Sequence, residues 1–259
     1  MGLNELNAAC IWKWRIKMEK YESSIETLLK EGSKEYGISL DNFQTENFLR
    51  YKEILMEWNE KINLTAIENE RDIIIKHFID SISIIPYIDN KVSRLIDIGT
   101  GGGFPGIPLK IAFKNLKVTL LDSLEKRISF LNEVIKLIGL QDINTVHGRA
   151  EDYGNNREYR GKFDVSVARA VASLPVLLEY CLPFVKTGGM FIAMKGSSTE
   201  EIEGSGKALG VLGGEIEKVH TIVLPFSDAK RNIIVVRKLR QTPTKYPRKA
   251  GKPSREPLI

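Results

Sequence analysis

Residues 95–106 read LIDIGTGGGFPG: a short apolar run interrupted by Asp97, followed by five glycines, a phenylalanine and a proline. Glycine takes positive φ without steric cost and lets the backbone approach a ligand closely. Such a turn, after a buried strand and before a helix, marks the nucleotide-type crevice of an α/β sheet. The flanks supply that context. VSRLIDIG (92–99) is a short β-rich run, and PGIPLKIAF (105–113) is apolar at helical spacing.

The alternation continues downstream. KVTLLDS (117–123), DINTVHG (142–148), KFDVSVA (162–168) and GMFIAMK (189–195) read as strands. Between them, EKRISFLNEVIKLIG (125–139) and LPVLLEYCLPFV (174–185) read as helices. Strands separated by helices imply a parallel sheet covered on both faces. After a helix near 199–212, EKVHTIVLP (217–225) and RNIIVVRKL (231–239) have no helix between them and should pair antiparallel at the sheet edge. Upstream, residues 41–64 place Phe48, Tyr51, Leu55 and Trp58 on one helical face, with Asp41 as N-cap. Weaker helical patterns cover 21–36 and 70–84. The expectation is an α/β protein: a doubly wound, Rossmann-like sheet, mostly parallel with an antiparallel final strand, over 91–239. A small N-terminal helical domain would occupy 21–90.

Composition narrows the function classes. Hydrophobic residues make up 42 % and charged residues 27 % of the 259, an ordinary globular balance. No stretch approaches the ~18–20 uncharged residues of a membrane span, and the basic residues Lys13, Arg15 and Lys17 follow the apolar start instead of preceding it, unlike a signal peptide. A cytoplasmic protein without a membrane partner is expected. Two distant cysteines (Cys10, Cys181) and three histidines without paired spacing predict neither a disulfide framework nor a metal site. The net charge of +5 resides entirely in residues 240–259, which hold six Lys/Arg, one Glu and four of the ten prolines. That segment reads as an extended basic arm.

The glycine loop admits two ligand classes. The dinucleotide pattern GxGxxG is met at Gly99 and Gly101, but its third small position is Phe104. The acidic-x-GxGxG pattern of S-adenosylmethionine-dependent methyltransferases is met by Asp97, Gly99, Gly101 and Gly103. That ligand carries an ammonium and a sulfonium in place of a pyrophosphate, so a carboxylate at the strand end is favourable. Asp122 ends the next strand, where an acid would bind the ribose hydroxyls of either cofactor. The antiparallel final pair favours the methyltransferase reading.

IDIGTGGGFPGIPL, LLDSLEKRISFL, GRAEDY, VARAVASLP and AMKG resemble, in order, the glucose-inhibited division protein B family, the bacterial small-subunit ribosomal RNA guanine-N7 methyltransferases. WNEKINLTAI and HFIDSI are similar to its helical N-terminal segment, and TPTKYPRKAGKPSREPL to the tail of Gram-positive members. The likeness covers about residues 20–259. Residues 1–17 precede it, and with Met18 near a more typical start, residues 1–20 read as a poorly ordered upstream extension. The resemblance implies a class I methyltransferase fold and S-adenosyl-L-methionine as cofactor. It implies methylation of a guanine in 16S ribosomal RNA, in the 530-loop region (position 527 in standard rRNA numbering). Gly99, Phe104, Ala150, Glu151 and Arg169 match its cofactor-contacting positions.

The residues agree with chemistry at N7. VARAVASLP lacks the Asn/Asp-Pro-Pro-aromatic motif of exocyclic amine methyltransferases, and no cysteine stands where a nucleophile is needed. N7 carries no proton, so no catalytic acid or base is expected; Arg169 and Lys195 are candidates for positioning. Candidate RNA contacts are Lys126, Arg127 and Lys195, and in the arm Lys245, Arg248, Lys249 and Lys252, with Tyr246 as a stacking surface. The partner would be 16S ribosomal RNA or a small-subunit assembly intermediate, met by a monomer. Competing readings are a methyltransferase of this fold acting on another RNA, a small molecule or a protein, a nicotinamide-dependent oxidoreductase, and a non-enzymatic RNA-binding module.

Overall fold

The structure, a computed structural model, describes residues 24–89, 91–196 and 200–259. The expected extension at 1–20 and Cys10 lie outside the described residues.

Seven strands form one sheet: β1 Arg94–Ile98, β2 Lys117–Asp122, β3 Ile143–His147, β4 Phe163–Arg169, β5 Val185–Lys195, β6 Gly214–Val223 and β7 Lys230–Lys238. Their order is β3-β2-β1-β4-β5-β7-β6. The first five pair in parallel, and β7 is antiparallel to both neighbours. This is the doubly wound α/β sheet anticipated above, with the final strand inserted inside the edge and β6 taking the edge itself. Strand order reverses between β1 and β4, which places a crevice at their carboxyl ends.

The sheet separates two apolar clusters, and strand alternation assigns side chains between them. Leu95, Val165, Val167, Ile192 and Met194 face one side; Ile96, Ile98, Ala168, Phe191 and Ala193 face the other. Phe48, Tyr51, Leu55 and Phe78 of the N-terminal helices belong to the first cluster. The helical segment expected as a domain of its own therefore shares its core with the sheet and forms one of its covering layers.

Local chemistry explains how that layer is set. The helix Asn42–Ile62 starts at Asp41 with a reciprocal capping box to Gln44. The Gln44 side-chain amide also donates to the carbonyls of Ile111 and Ala112, at 2.9 and 3.0 Å, tying the cap to the end of the helix Gly106–Ala112. Helix Glu70–Ile73 widens into a π-helical turn over Ile74–Ile79 before resuming at Asp80–Ile82. Such bulges re-aim side chains and are frequent at functional sites. Here the turn contains His77.

The C-terminal segment departs from the expected extended arm. Thr242, Tyr246, Pro247, Pro253 and Leu258 are buried, and Tyr246 and Leu258 join the second apolar cluster. Arg248 grips the buried carboxylate of Glu179 through its Nε and Nη2, at 2.9 and 2.7 Å. The Arg160 guanidinium donates to the carbonyls of Thr242, Pro243 and Tyr246. Apolar residues and long-range polar bonds outweigh the solvation of the charges, so the segment is a strap across the domain.

Candidate active site

The glycine loop is built from its own backbone. Gly99, Gly101 and Gly103 have φ of +69°, +60° and +92°. The Gly103 and Phe104 amides donate to the Thr100 carbonyl at 2.9 Å. Asp97, fully buried, accepts from Thr100 Oγ1 at 2.6 Å and from the Gly106 amide at 2.8 Å on one oxygen, while Oδ1 has no partner. Burial pushes its pKa up to about 7, against those hydrogen bonds. Asp97 thus ties the strand to the start of the next helix. The sequence assigned it to the cofactor's positive charge, and the structure places it beneath the loop.

Asp122 ends β2 and is also mostly committed. Its Oδ2 accepts from the Gly101 amide at 2.8 Å and from Arg127 at 3.3 Å; its Oδ1 accepts from the Leu124 amide. It nevertheless faces open space. Two adjoining cavities, of about 330 and 360 Å³, share Gly99, Asp122, Ser123 and Val171. The first is lined also by Ile98, Ala150, Glu151 and Tyr180, and the second by Gly101, Phe104, Arg127 and Arg169. Of the cofactor candidates, Gly99, Gly101, Phe104, Asp122, Ala150, Glu151 and Arg169 line these cavities; Asp97 and Gly103 do not. A Cβ at Gly103 would meet Ile107 and the Tyr51 hydroxyl at 2.6 Å, so that glycine serves packing.

Arg169 sits at the carboxyl end of β4 inside a polar and aromatic cluster from the N-terminal helices. Its guanidinium donates to the Lys76 carbonyl at 3.1 Å, to Asp80 at 3.2 Å and to His77 Nδ1 at 3.1 Å. It also lies over the Phe104 ring, which stacks on the His77 ring at 4.4 Å between centroids. Accepting from Arg169 at Nδ1 leaves the His77 proton on Nε2, which donates to Thr65 Oγ1 at 2.7 Å. Burial and the nearby Arg169 push His77 down to about 3, so the ring is neutral. Tyr51 completes the cluster by donating to the Gly102 carbonyl. His77, Asp80, Thr65 and Tyr51 were not among the candidates, although HFIDSI and WNEKINLTAI contain three of them; what singles them out is contact with Arg169 and the loop.

The remaining candidates divide. Lys195 donates to the Ala172 carbonyl at 2.7 Å and pairs with Glu201 at 2.8 Å. Glu201 also accepts from the Leu174 amide, so Lys195 braces the turn after β4 without lining either cavity. Lys126, Lys245, Lys249 and Lys252 are exposed. Tyr246, expected to stack on bases, is only 8 % exposed, and Arg248, expected on phosphate, is committed to Glu179. Both assignments are corrected by the folding of the strap. The strap instead borders the cofactor candidates. Glu151 Oε1 accepts from the Gly251 amide at 2.8 Å, Ser254 and Tyr180 share a 2.8 Å hydrogen bond, and Gly251 and Ser254 line the first cavity. Among the described residues, no helix is long and apolar enough to cross a membrane.

The model of the family described as GidB, rRNA small subunit methyltransferase G, matches residues 44–234. A "Ribosomal RNA small subunit methyltransferase G" of Acetivibrio thermocellus is 64 % identical over 241 residues, covering 93 % of this chain and 100 % of that protein. A relative of the same name from Alkaliphilus oremlandii is 53 % identical, covering 90 % of this chain and 99 % of its own. Among solved structures, a putative O-methyltransferase from Klebsiella pneumoniae shares the fold with a TM-score of 0.50 at 14 % identity, covering 73 % of this chain and 90 % of its own.

Proposed function

The chain belongs to the GidB family of rRNA small subunit methyltransferases G, and from that membership we propose that it methylates N7 of a guanine in the 530-loop region of 16S ribosomal RNA with S-adenosyl-L-methionine as donor. It would act in the cytoplasm, as a monomer, on the RNA or on an assembling small subunit.

The observation that carries the reading is the pair of cavities meeting at Gly99, Asp122, Ser123 and Val171. One offers an apolar strand end and two carboxylates, Asp122 and Glu151, suited to an adenosine; the other opens beside Gly101, Arg127 and Ala170, with the packed Phe104–Arg169 cluster as its wall, and leaves room for a second group at the same loop. The cofactor would supply an electrophilic methyl on a sulfonium. The N7 lone pair needs no proton removed, so the chain's work is orientation and electrostatics. His77 does not take up a second proton near neutral pH, because burial and Arg169 hold its pKa at about 3 and both its nitrogens are engaged. Its part is to hold Phe104 and Arg169 against the loop.

The test is mapping of N7-methylguanine in 16S ribosomal RNA from cells with and without the gene, then restoring the mark with purified protein and S-adenosylmethionine. The mark should vanish and return. A mark that persists without the gene, or protein that titrates with NAD and not with S-adenosylmethionine, would overturn the reading.

A further inference from the structure

At the end of the sheet opposite the cleft lies another cavity, of about 470 Å³, between the starts of β4 and β5 and the turn after β7. Its lining includes Arg160, Lys162, Lys186 and Lys238, with threonines such as Thr187 and Thr244, and no Asp or Glu. Lys186 is offset by Asp164. Among the described residues, Arg160, Lys162 and Lys238 have no carboxylate partner. Arg160 donates only to backbone carbonyls. Lys238 is 2 % exposed, and its ammonium donates to the carbonyls of Leu182 and Leu212 and to the Thr242 hydroxyl. Burial, with Arg160 and Arg240 nearby, pushes its pKa down to about 7. Near neutral pH Lys238 is thus only partly protonated; an anion in the cavity would favour its ammonium form and complete the positive charge of Arg160, which only neutral dipoles hold.

We propose that this cavity is a phosphate-binding site and that it takes a backbone phosphate of the RNA substrate. Lysine ammonium and threonine hydroxyl donors around a cationic floor suit phosphate oxygens. The inference rests on the methyltransferase reading for the identity of the RNA, while the anion chemistry stands on the lining alone. β4 runs from this cavity to Arg169, and its seven residues at ~3.3 Å rise each place the two sites about 20 Å apart. The exposed Lys245, Lys249 and Lys252 lie on the strap that leads from the cavity to the cleft. A phosphate gripped here sets the register of the RNA on the enzyme without reading a base.

The experiment uses the full chain with Lys162→Glu and Thr244→Val, both at exposed positions. Inorganic phosphate binding is followed by phosphorus NMR, binding of a 16S ribosomal RNA fragment as a function of salt, and S-adenosylmethionine binding by calorimetry. Wild-type protein should bind phosphate and both variants should weaken it. In Lys162→Glu the slope of log affinity against log salt should fall by about 0.7–0.9 for each phosphate no longer neutralised, with cofactor affinity unchanged. Loss of phosphate binding with an unchanged RNA slope assigns the site to a free anion and overturns the RNA part. No phosphate binding by wild-type protein, or binding that the variants leave intact, overturns the whole. Failure to bind S-adenosylmethionine in every form would sink the methyltransferase reading and leave the phosphate result to stand separately.

Discussion

The glycine loop and the C-terminal strap wall the same cleft from opposite sides, and different physics holds each. The loop's bonds are local: Thr100 Oγ1 reaches Asp97 three residues back, and the Gly106 amide reaches the same carboxylate from nine residues on. The strap's bonds are remote. Arg248 meets Glu179 across 69 residues, and the Gly251 amide meets Glu151 across 100. Glycine backbone freedom shapes one wall, and the other is placed by whatever the folded core presents to it.

Three changes would break or sharpen that contrast. The largest effect is expected from Arg248→Ala, which leaves Glu179, 1 % exposed, without its cation. Removing one partner of such a pair should cost about 3 kcal/mol, read from urea unfolding, together with weaker cofactor binding as the strap loosens. A loss below about 1 kcal/mol would show that apolar contacts alone hold the strap, and the contrast would fail.

Gly103→Ala tests the other wall. Its φ of +92° and a Cβ within 2.6 Å of Ile107 and Tyr51 predict strain, expected to lower stability by about 2 kcal/mol. Denaturant titration at neutral pH is the measurement; a neutral substitution would mean the loop tolerates an ordinary residue and is not set by glycine.

A third change reads a pH dependence. Burial raises Asp97 from 3.8 to about 7, so the folded chain keeps a proton that the unfolded chain releases. Its contribution to stability is full below pH 3.8 and is lost as pH rises through about 7. His77, lowered from 6.5 to about 3, acts oppositely: its contribution is present above 6.5 and is lost as pH falls toward 3. Melting temperatures of wild type and Asp97→Asn should therefore converge at low pH and separate toward neutral, with the wild type relatively lower. Parallel curves would place the Asp97 carboxyl in a more solvated environment than its burial implies.

Much of this was legible in the chain. The strands at 94–98, 117–122 and 163–169 show as apolar β-rich runs, and Asp41 announces the helix Asn42–Ile62 by its side chain. Gly99, Gly101, Asp122, Ala150, Glu151 and Arg169 were picked out and do come together around the cleft. Other readings did not survive. Tyr246 and Arg248 look like solvated binding residues in a proline-rich basic stretch, yet one is packed and the other paired. Lys195 looks free at a strand end, yet Glu201 takes it. His77 and Arg169 are 92 residues apart, and nothing in either neighbourhood forecasts their bond.

Backbone preference and apolar periodicity act over a few residues, so the order of strands, the glycine turn and the location of the cleft follow from the linear chain. Which charge is spent on a carboxylate, and which stays open to a ligand, depends on groups brought together across tens of residues and on how far each is withdrawn from water. That is why the chain announces where the cleft lies, while the folded core settles that Asp97 supports the loop from below and that the basic tail closes the cleft.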